Sequence, residues 1–158
     1  EGVRLTYAGV HNNVCNSLIA AGIKVGMEVT VVSPETNPAA TDEELWAEAR
    51  SAGTYHVCDD LRSGVESSDV VYTDTWLDME YFDNPDFAEE KERRLALLRP
   101  YQLNRSVLEG VDALIMHCLP AHRGYEIEGE LIDDPRSVLF DQAENRLHSQ
   151  KAALLKLA

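Results

Sequence analysis

The sequence predicts a doubly wound α/β domain: a mainly parallel sheet with helices on both faces, in a three-layer α/β/α arrangement. Short β-rich runs alternate with helical patterns along the chain. The runs are apolar on successive positions, as suits strands covered on both faces. Strand, helix, strand repeated in this order builds a parallel sheet with helices packed on it. The 158 residues suffice for one ordinary core and are too few for two comfortable ones.

The β runs are residues 4–10 (RLTYAGV), 28–33 (EVTVVS), 55–58, 69–73 (DVVYT) and 113–119 (ALIMHCL). Between the first two, residues 12–25 place Val14, Leu18, Ala21 or Gly22, and Val25 on one stripe, and Gly26 supplies a stop. Residues 41–52 open with TDEE, read as a capping box of Thr41 and Glu44, and end at Gly53. A charged helix around residues 86–98 carries Glu89 with Arg93 and Glu90 with Arg94 at i,i+4 spacing, which reads as a solvated face.

A last helix is expected over about residues 143–157, capped by Asp141 and Glu144, with Leu147, Leu154, Leu155 and Ala158 as an apolar stripe. That start puts Arg146 in the first turn, where the macrodipole disfavours a cation. Such an arginine is either paired with Glu144 or reserved for an anionic or carbonyl-bearing ligand. Residues 34–38 and 81–85 are polar and proline-bearing and read as loops; no internal repeat is visible.

Composition narrows the function. Hydrophobic residues at 44% and charged residues at 27% exclude disordered and collagen-like classes. A net charge of −14, from 28 acidic against 14 basic residues, repels phosphate backbones and anionic headgroups, so neither nucleic acid nor a membrane surface is an expected partner. Three cysteines, an odd number, with no signal peptide and no membrane-length apolar run, point to a reducing cytoplasm. Because Glu1 is followed at once by a strand, the segment reads as excised from something longer.

Ligands of such sheets bind beyond the carboxyl ends of the strands. That rule selects residues 9–13 (GVHNN), 73–80 (TDTWLDME) and 117–124 (HCLPAHRG). At the first turn, Gly9, His11 and Val14 stand where a dinucleotide fingerprint needs three glycines, so a plain turn capped by Asn12 or Asn13 is the simpler reading. His117, Cys118 and His122, with His56 and Cys58, are poor metal ligands. Strand neighbours point to opposite faces unless the strand has ended, and neither C-x-x-C nor H-E-x-x-H occurs. No metal is expected, and His56 and Cys58 read as partly buried strand residues.

A nucleophilic Cys118 would need an adjacent base and, usually, a helix N-terminus. Pro120 follows instead, so the chain leaves the sheet extended or turned, with carbonyl groups at 118 and 119 and no N–H at 120. Backbone acceptors there suit an amide-type NH₂ better than an oxyanion. Asp74, where the fourth run ends, is either a turn aspartate or the anchor of a substrate ammonium. Trp76 and Met79 are either walls of that site or core residues.

Taken together, GVHNNVCNSL, VVYTDTWLDME, RPYQLN, IMHCLPAHRGYEI and SVLFDQAENRLHSQKAAL resemble, in order and over essentially the whole chain, the second, ornithine-binding domain of the ornithine carbamoyltransferases. HCLP followed by AENR is the specific part, since aspartate-using relatives typically carry proline where Cys118 stands. The resemblance implies a Rossmann-like α/β/α domain of the aspartate/ornithine carbamoyltransferase type. It also implies transfer of a carbamoyl group from carbamoyl phosphate to the δ-amine of L-ornithine, giving L-citrulline and phosphate without metal or organic cofactor.

By position, Asn13 would hold the α-amino-acid end of ornithine and Asp74 its ammonium groups. Cys118 and Leu119 would present carbonyls to the carbamoyl NH₂ and the amine, with the Cys118 sulfur bordering the amine. Arg146 would polarise the carbamoyl oxygen. The amine itself is then the nucleophile, so orientation and electrostatics supply most of the catalysis.

Two departures from the family pattern follow. The substrate loop reads Asp78, Met79, Glu80 where the family has Ser-Met-Gly, with a longer insert to about Asn84. Asp78 and Met79 would contact the amine, and the added carboxylates favour a more cationic one, so a putrescine carbamoyltransferase stands as the alternative. The family's Ser-x-Arg-Thr-type and His-Pro-x-Gln motifs, which grip phosphate, do not occur here. The segment would be half of a site, completed by an N-terminal domain of the same chain. The resemblance further implies a trimer assembled mainly through that domain, and a last helix packed back toward it. A non-catalytic Rossmann-type nucleotide-binding module and a cysteine hydrolase are the rivals from other classes.

Overall fold

The structure, a computed structural model, describes residues 2–77 and 84–158. Five parallel strands form one sheet: β1 Arg4–Ala8, β2 Glu28–Val32, β3 Tyr55–Val57, β4 Val70–Thr73 and β5 Leu114–His117, in the order β3-β2-β1-β4-β5. The chain winds outward from β1 to β3, then crosses back to place β4 on the other side of β1. That reversal opens a crevice at the carboxyl ends of β1 and β4. Register decides what meets there: Ala8 stands opposite Thr73, and Thr73 opposite His117. Three strand ends are therefore level.

Among the described residues the helices are α1 Asn13–Val25, α2 Glu43–Ser51, α3 Leu61–Val65, α4 Ala88–Leu98 and α5 Leu139–Leu157. Side chains alternate across the sheet. On one face Leu5, Tyr7, Val29 and Val31 pack with Cys15 and Ile19 of α1 and Trp46 of α2. On the other, Ala8, Val32, Val71 and Ile115 pack with α3 and with the segments before and after β5. Full burial of Ile19 and Val29 contributes roughly 1.5–3 kcal/mol each. Thr6 faces the second layer and stays satisfied there, donating to the Gly64 carbonyl at 2.7 Å. A third group, Val10, Trp76, Leu77 and Leu98, seats α4 beyond the strand ends.

Gly26 ends α1 in the left-handed conformation as expected, with φ 69°. Several boundaries differ from expectation. The cap of α2 is Asp42, whose side chain accepts from Leu45 N at 3.0 Å, while Thr41 ends the preceding 3₁₀ turn at residues 38–40. The shorter aspartate reaches the orphan amide from the position adjoining the helix. The short α3 was not foreseen; five residues carry too little periodicity to read. In α4, Glu90 pairs with both Arg93 (2.7 Å) and Arg94 (3.1 Å), and Arg93 reaches across to Glu35 at 2.8 Å, so its charged face is partly a tertiary contact.

The last helix begins at Leu139, ahead of the expected Ala143, and no side chain caps it. Burial of Leu139 and the bond from Val138 N to the Ile115 carbonyl at 3.0 Å start it beside β5, so packing decides its origin and the Asp141/Glu144 cap does not form. Arg146 consequently lies beyond the first turn, and Glu144 approaches His148 (3.5 Å). From Ala143 onward every residue of α5 is exposed, including Leu147, Leu154 and Leu155. Among the described residues, no helix is long and apolar enough to cross a membrane.

Candidate active site

Because the three strand ends are level, the residues that follow them converge. Asn12 follows β1 and caps α1: its Oδ1 accepts from Val14 N (3.0 Å), Cys15 N (3.1 Å) and the Tyr7 hydroxyl (3.2 Å). Its other end, Nδ2, donates across the crevice to Asp74 Oδ2 at 2.8 Å. Asp74 follows β4 and is 5% exposed. Its Oδ1 accepts from Thr75 N (2.8 Å) and from the Cys118 thiol (2.7 Å). A buried carboxylate thus rests on neutral donors, with no Lys or Arg ion pair among the described residues. An uncompensated buried charge is costly, and these three donors offset part of that cost.

Cys118 follows β5. Burial first, then the adjoining Asp74, push its thiol up to about 12. It is a protonated donor near neutral pH, the opposite of the activated thiolate that a nucleophile needs. The next residue, Leu119, adopts φ 57° and is joined to Pro120 by a cis peptide bond. A left-handed leucine is uncommon, and such conformations cluster at sites where the surroundings over-determine them. Here its N–H donates to His117 Nδ1 at 2.8 Å.

His117 and Glu126 are both fully buried, with Nε2 and Oε1 3.3 Å apart. Since Nδ1 accepts from Leu119, the ring proton of a neutral His117 belongs on Nε2, facing Glu126. Glu126 Oε1 also receives the His122 N–H, while Oε2 has no partner among the described residues. His122 Nδ1 lies 3.1 Å from the Thr75 hydroxyl.

Asp74, His117 and Cys118 place candidate ligand atoms within 4.8 Å of one another. The strand does end at His117, so the geometric objection to a shared ion falls. Both His117 nitrogens are nonetheless already bonded and the thiol holds its proton, which leaves this trio poorly suited to an ion. His56 and Cys58 sit at β3, at the far side of the sheet; His56 is exposed 4.0 Å from Glu28, more open than foreseen, and Cys58 donates to Asp60 O.

The cleft itself has a volume of about 380 Å³ and is lined by Val14, Tyr72, Cys118, Gln142, Ala143 and Arg146. Arg146 is exposed and makes no hydrogen bond or ion pair with a described residue, so its guanidinium is not taken up by Glu144. A larger hollow of about 560 Å³ near Arg105 and Arg136 precedes β5. Arg136 is engaged there by Asp134 and by the Val111 carbonyl, and nothing from the strand ends reaches it.

Of the residues singled out in the sequence, Asp74 and Cys118 meet at one point, Leu119 follows Cys118 with its side chain in the opposite layer, and Arg146 lines the adjoining cleft. Asn13 opens α1 exposed, with Asn12, not Asn13, contacting Asp74. Asp78, Met79 and Glu80 lie outside the described residues. Trp76 is buried against Val10 and Leu98, in the core as its commoner role suggests. Tyr7, Tyr72, Glu126 and Gln142 were not foreseen. Tyr72 reads only as a strand residue and Glu126 as a surface charge, and nothing local marks either.

A profile of the family described as aspartate/ornithine carbamoyltransferase, Asp/Orn binding domain, matches residues 1–157. The ornithine carbamoyltransferase of Pyrococcus horikoshii is 43% identical over 162 residues, covering 99% of this chain and 49% of the relative. The anabolic ornithine carbamoyltransferase of Pseudomonas aeruginosa is 44% identical over 156 residues, covering 98% and 48%. The solved ornithine carbamoyltransferase from Pyrococcus furiosus superposes with a TM-score of 0.82 at 39% identity, over 98% of this chain and 49% of that one. The chain therefore spans about half the length of the curated relatives it matches. With a profile match over nearly its whole length and the same architecture, the chain belongs to the aspartate/ornithine carbamoyltransferase family and carries that family's Asp/Orn binding domain.

Proposed function

We propose that this chain supplies the amine-binding half of an ornithine carbamoyltransferase, which transfers the carbamoyl group of carbamoyl phosphate to the δ-amine of L-ornithine and yields L-citrulline and phosphate. The observation that carries this reading is Asp74, a buried carboxylate held by Asn12, Thr75 and Cys118 and left without a cation among the described residues. Asp74 binds the substrate ammonium, Asn13 the α-amino-acid end, and Asp78 and Met79 of the substrate loop flank the chain of the amine. Carbonyl groups of Cys118 and Leu119 orient the carbamoyl NH₂. Once the δ-ammonium has given one proton to solvent, the neutral amine attacks the carbamoyl carbon and negative charge grows on the carbamoyl oxygen, which Arg146 stabilises. The C–O bond to phosphate then breaks, and the second proton lost by the attacking nitrogen goes to the departing phosphate. No metal or organic cofactor enters.

The complementary phosphate-binding half lies in an N-terminal domain of the same polypeptide, which also builds a trimer. Three free cysteines suit a cytoplasmic setting. The test is citrulline formation by the two-domain enzyme with ornithine, putrescine and lysine compared side by side. Ornithine is the expected substrate, and putrescine preference would replace it. The 158-residue segment alone should form no citrulline, and turnover by it would overturn the half-site reading. Saturable NAD binding to the segment would instead favour a nucleotide-binding module.

A further inference from the structure

Gln142 joins α5 to the ends of β4 and β5. It lies in the first turn of α5, where its Oε1 accepts the N–H of His117 at 3.2 Å and its Nε2 donates to the Tyr72 hydroxyl at 3.0 Å. His117 ends β5 and directly precedes Cys118; Tyr72 adjoins the end of β4. One amide therefore ties the origin of α5 to both strand ends that bear the site.

What lies beyond Gln142 makes this tie consequential. Every residue from Ala143 to Ala158 is exposed, so Leu139 and Gln142 are the described contacts nearest to Arg146 that hold α5 to the sheet. Arg146 follows Gln142 by four residues, hence on the same side of the helix, and lines the same cleft. Leu139 anchors the helix start through apolar burial, which tolerates rotation. The two bonds of Gln142 fix the rotation.

Gln142 donates to the Tyr72 oxygen, Cys118 lines the same cleft as both of them, and the Cys118 thiol donates to Asp74. We propose that Gln142, acting with Tyr72, is a positioning residue that sets where Arg146 stands relative to Cys118 and Asp74. This rests on the carbamoyl-transfer reading and adds a residue that acts through Arg146.

The test uses the two-domain enzyme with Gln142→Met, which keeps the volume and removes both bonds, Tyr72→Phe, and the double variant. Gln142→Met should lower kcat about tenfold or more, with the KM for ornithine within about twofold. Tyr72→Phe should lower kcat less, and the double variant should be no worse than Gln142→Met, because the two act through one bond. In the 158-residue segment, Gln142→Met should speed hydrogen exchange at the His117 amide.

A loss of thermal stability with kcat unchanged would reduce Gln142 to a structural residue and overturn the proposal. Strictly additive losses in the double variant, or a rise in the KM for ornithine matching the fall in kcat, would overturn it as well. A wild-type enzyme that forms no citrulline would overturn the carbamoyl-transfer reading itself, whatever the variants do.

Discussion

The Cys118 thiol donates to Asp74 Oδ1 at 2.7 Å, across the level ends of β4 and β5. Two residues 44 positions apart in sequence thereby become one acid–acceptor pair. The direction of the bond matters: the sulfur supplies the proton and the carboxylate oxygen accepts it. Several outcomes can be measured from this and neighbouring relationships.

Asp74→Asn keeps the volume and removes the charge. A charge-assisted hydrogen bond to an ammonium is worth roughly 1.5–3 kcal/mol, so the KM for ornithine in the two-domain enzyme should rise on the order of tenfold to 100-fold. An unaltered KM would show that the amine binds elsewhere.

Cys118 is pushed up to about 12 by burial and by Asp74, so its neutral form persists through the alkaline range. Alkylation of Cys118, followed by mass spectrometry, should be slow at neutral pH and still be accelerating at roughly pH 10. A rate that levels off near neutrality would reveal a thiolate and restore the nucleophile reading.

Gly22 lies where α1 crosses the start of β2, and a Cβ there would stand 2.7 Å from the Met27 carbonyl oxygen. Alanine improves helix propensity by about 1 kcal/mol, but overpacking against backbone costs about 1–3 kcal/mol. The steric effect should win, and Gly22→Ala should lower the urea midpoint. A raised midpoint would mean that the Met27 turn yields freely.

Asp134 accepts from Arg136 N and Nε at 2.9 Å, and the arginine holds its carboxyl near 2. The folded-state value lies below the unfolded value of about 3.9, so the pair stabilises above that value and the contribution fades as pH falls toward 2. Partial solvent screening limits it to about 1 kcal/mol. Asp134→Asn should cost about that much at pH 7 in urea unfolding and progressively less as pH falls through the folded-state value; a cost independent of pH would remove the ionic explanation.

The exposed run of α5 makes few contacts that protect it. In the dilute 158-residue segment, amides of Leu147 to Leu157 should exchange far faster than those of β1 and β4. Leu154→Glu should leave segment stability within about 0.5 kcal/mol. Exchange as slow as in the central strands would show that another copy or the sheet covers the helix.

The fold was legible because its signals are local. Runs such as DVVYT and EVTVVS, set between amphipathic segments, specify parallel strands covered on both faces, and Gly26 stops α1 where expected. Boundaries were less legible where packing outweighs capping. Leu139 shows this: its burial starts α5 in a place that no polar residue marks. The candidate site was legible as three strand ends, since the rule that selects them needs only strand order, and Asp74 and Cys118 stand together there.

The sequence by itself determined the fold class, the carboxyl-end location of the candidate site and the family likeness carried by HCLP and AENR, because each depends on residue types at short spacings. Tertiary structure alone decided that Asn12 and not Asn13 contacts Asp74, that Glu126 is buried against His117, and that Gln142 bridges Tyr72 to the end of β5. Those pairings depend on strand register and on where α5 begins. Both are settled by burial across the whole sheet, a sum of many small apolar contacts that no short stretch of sequence contains.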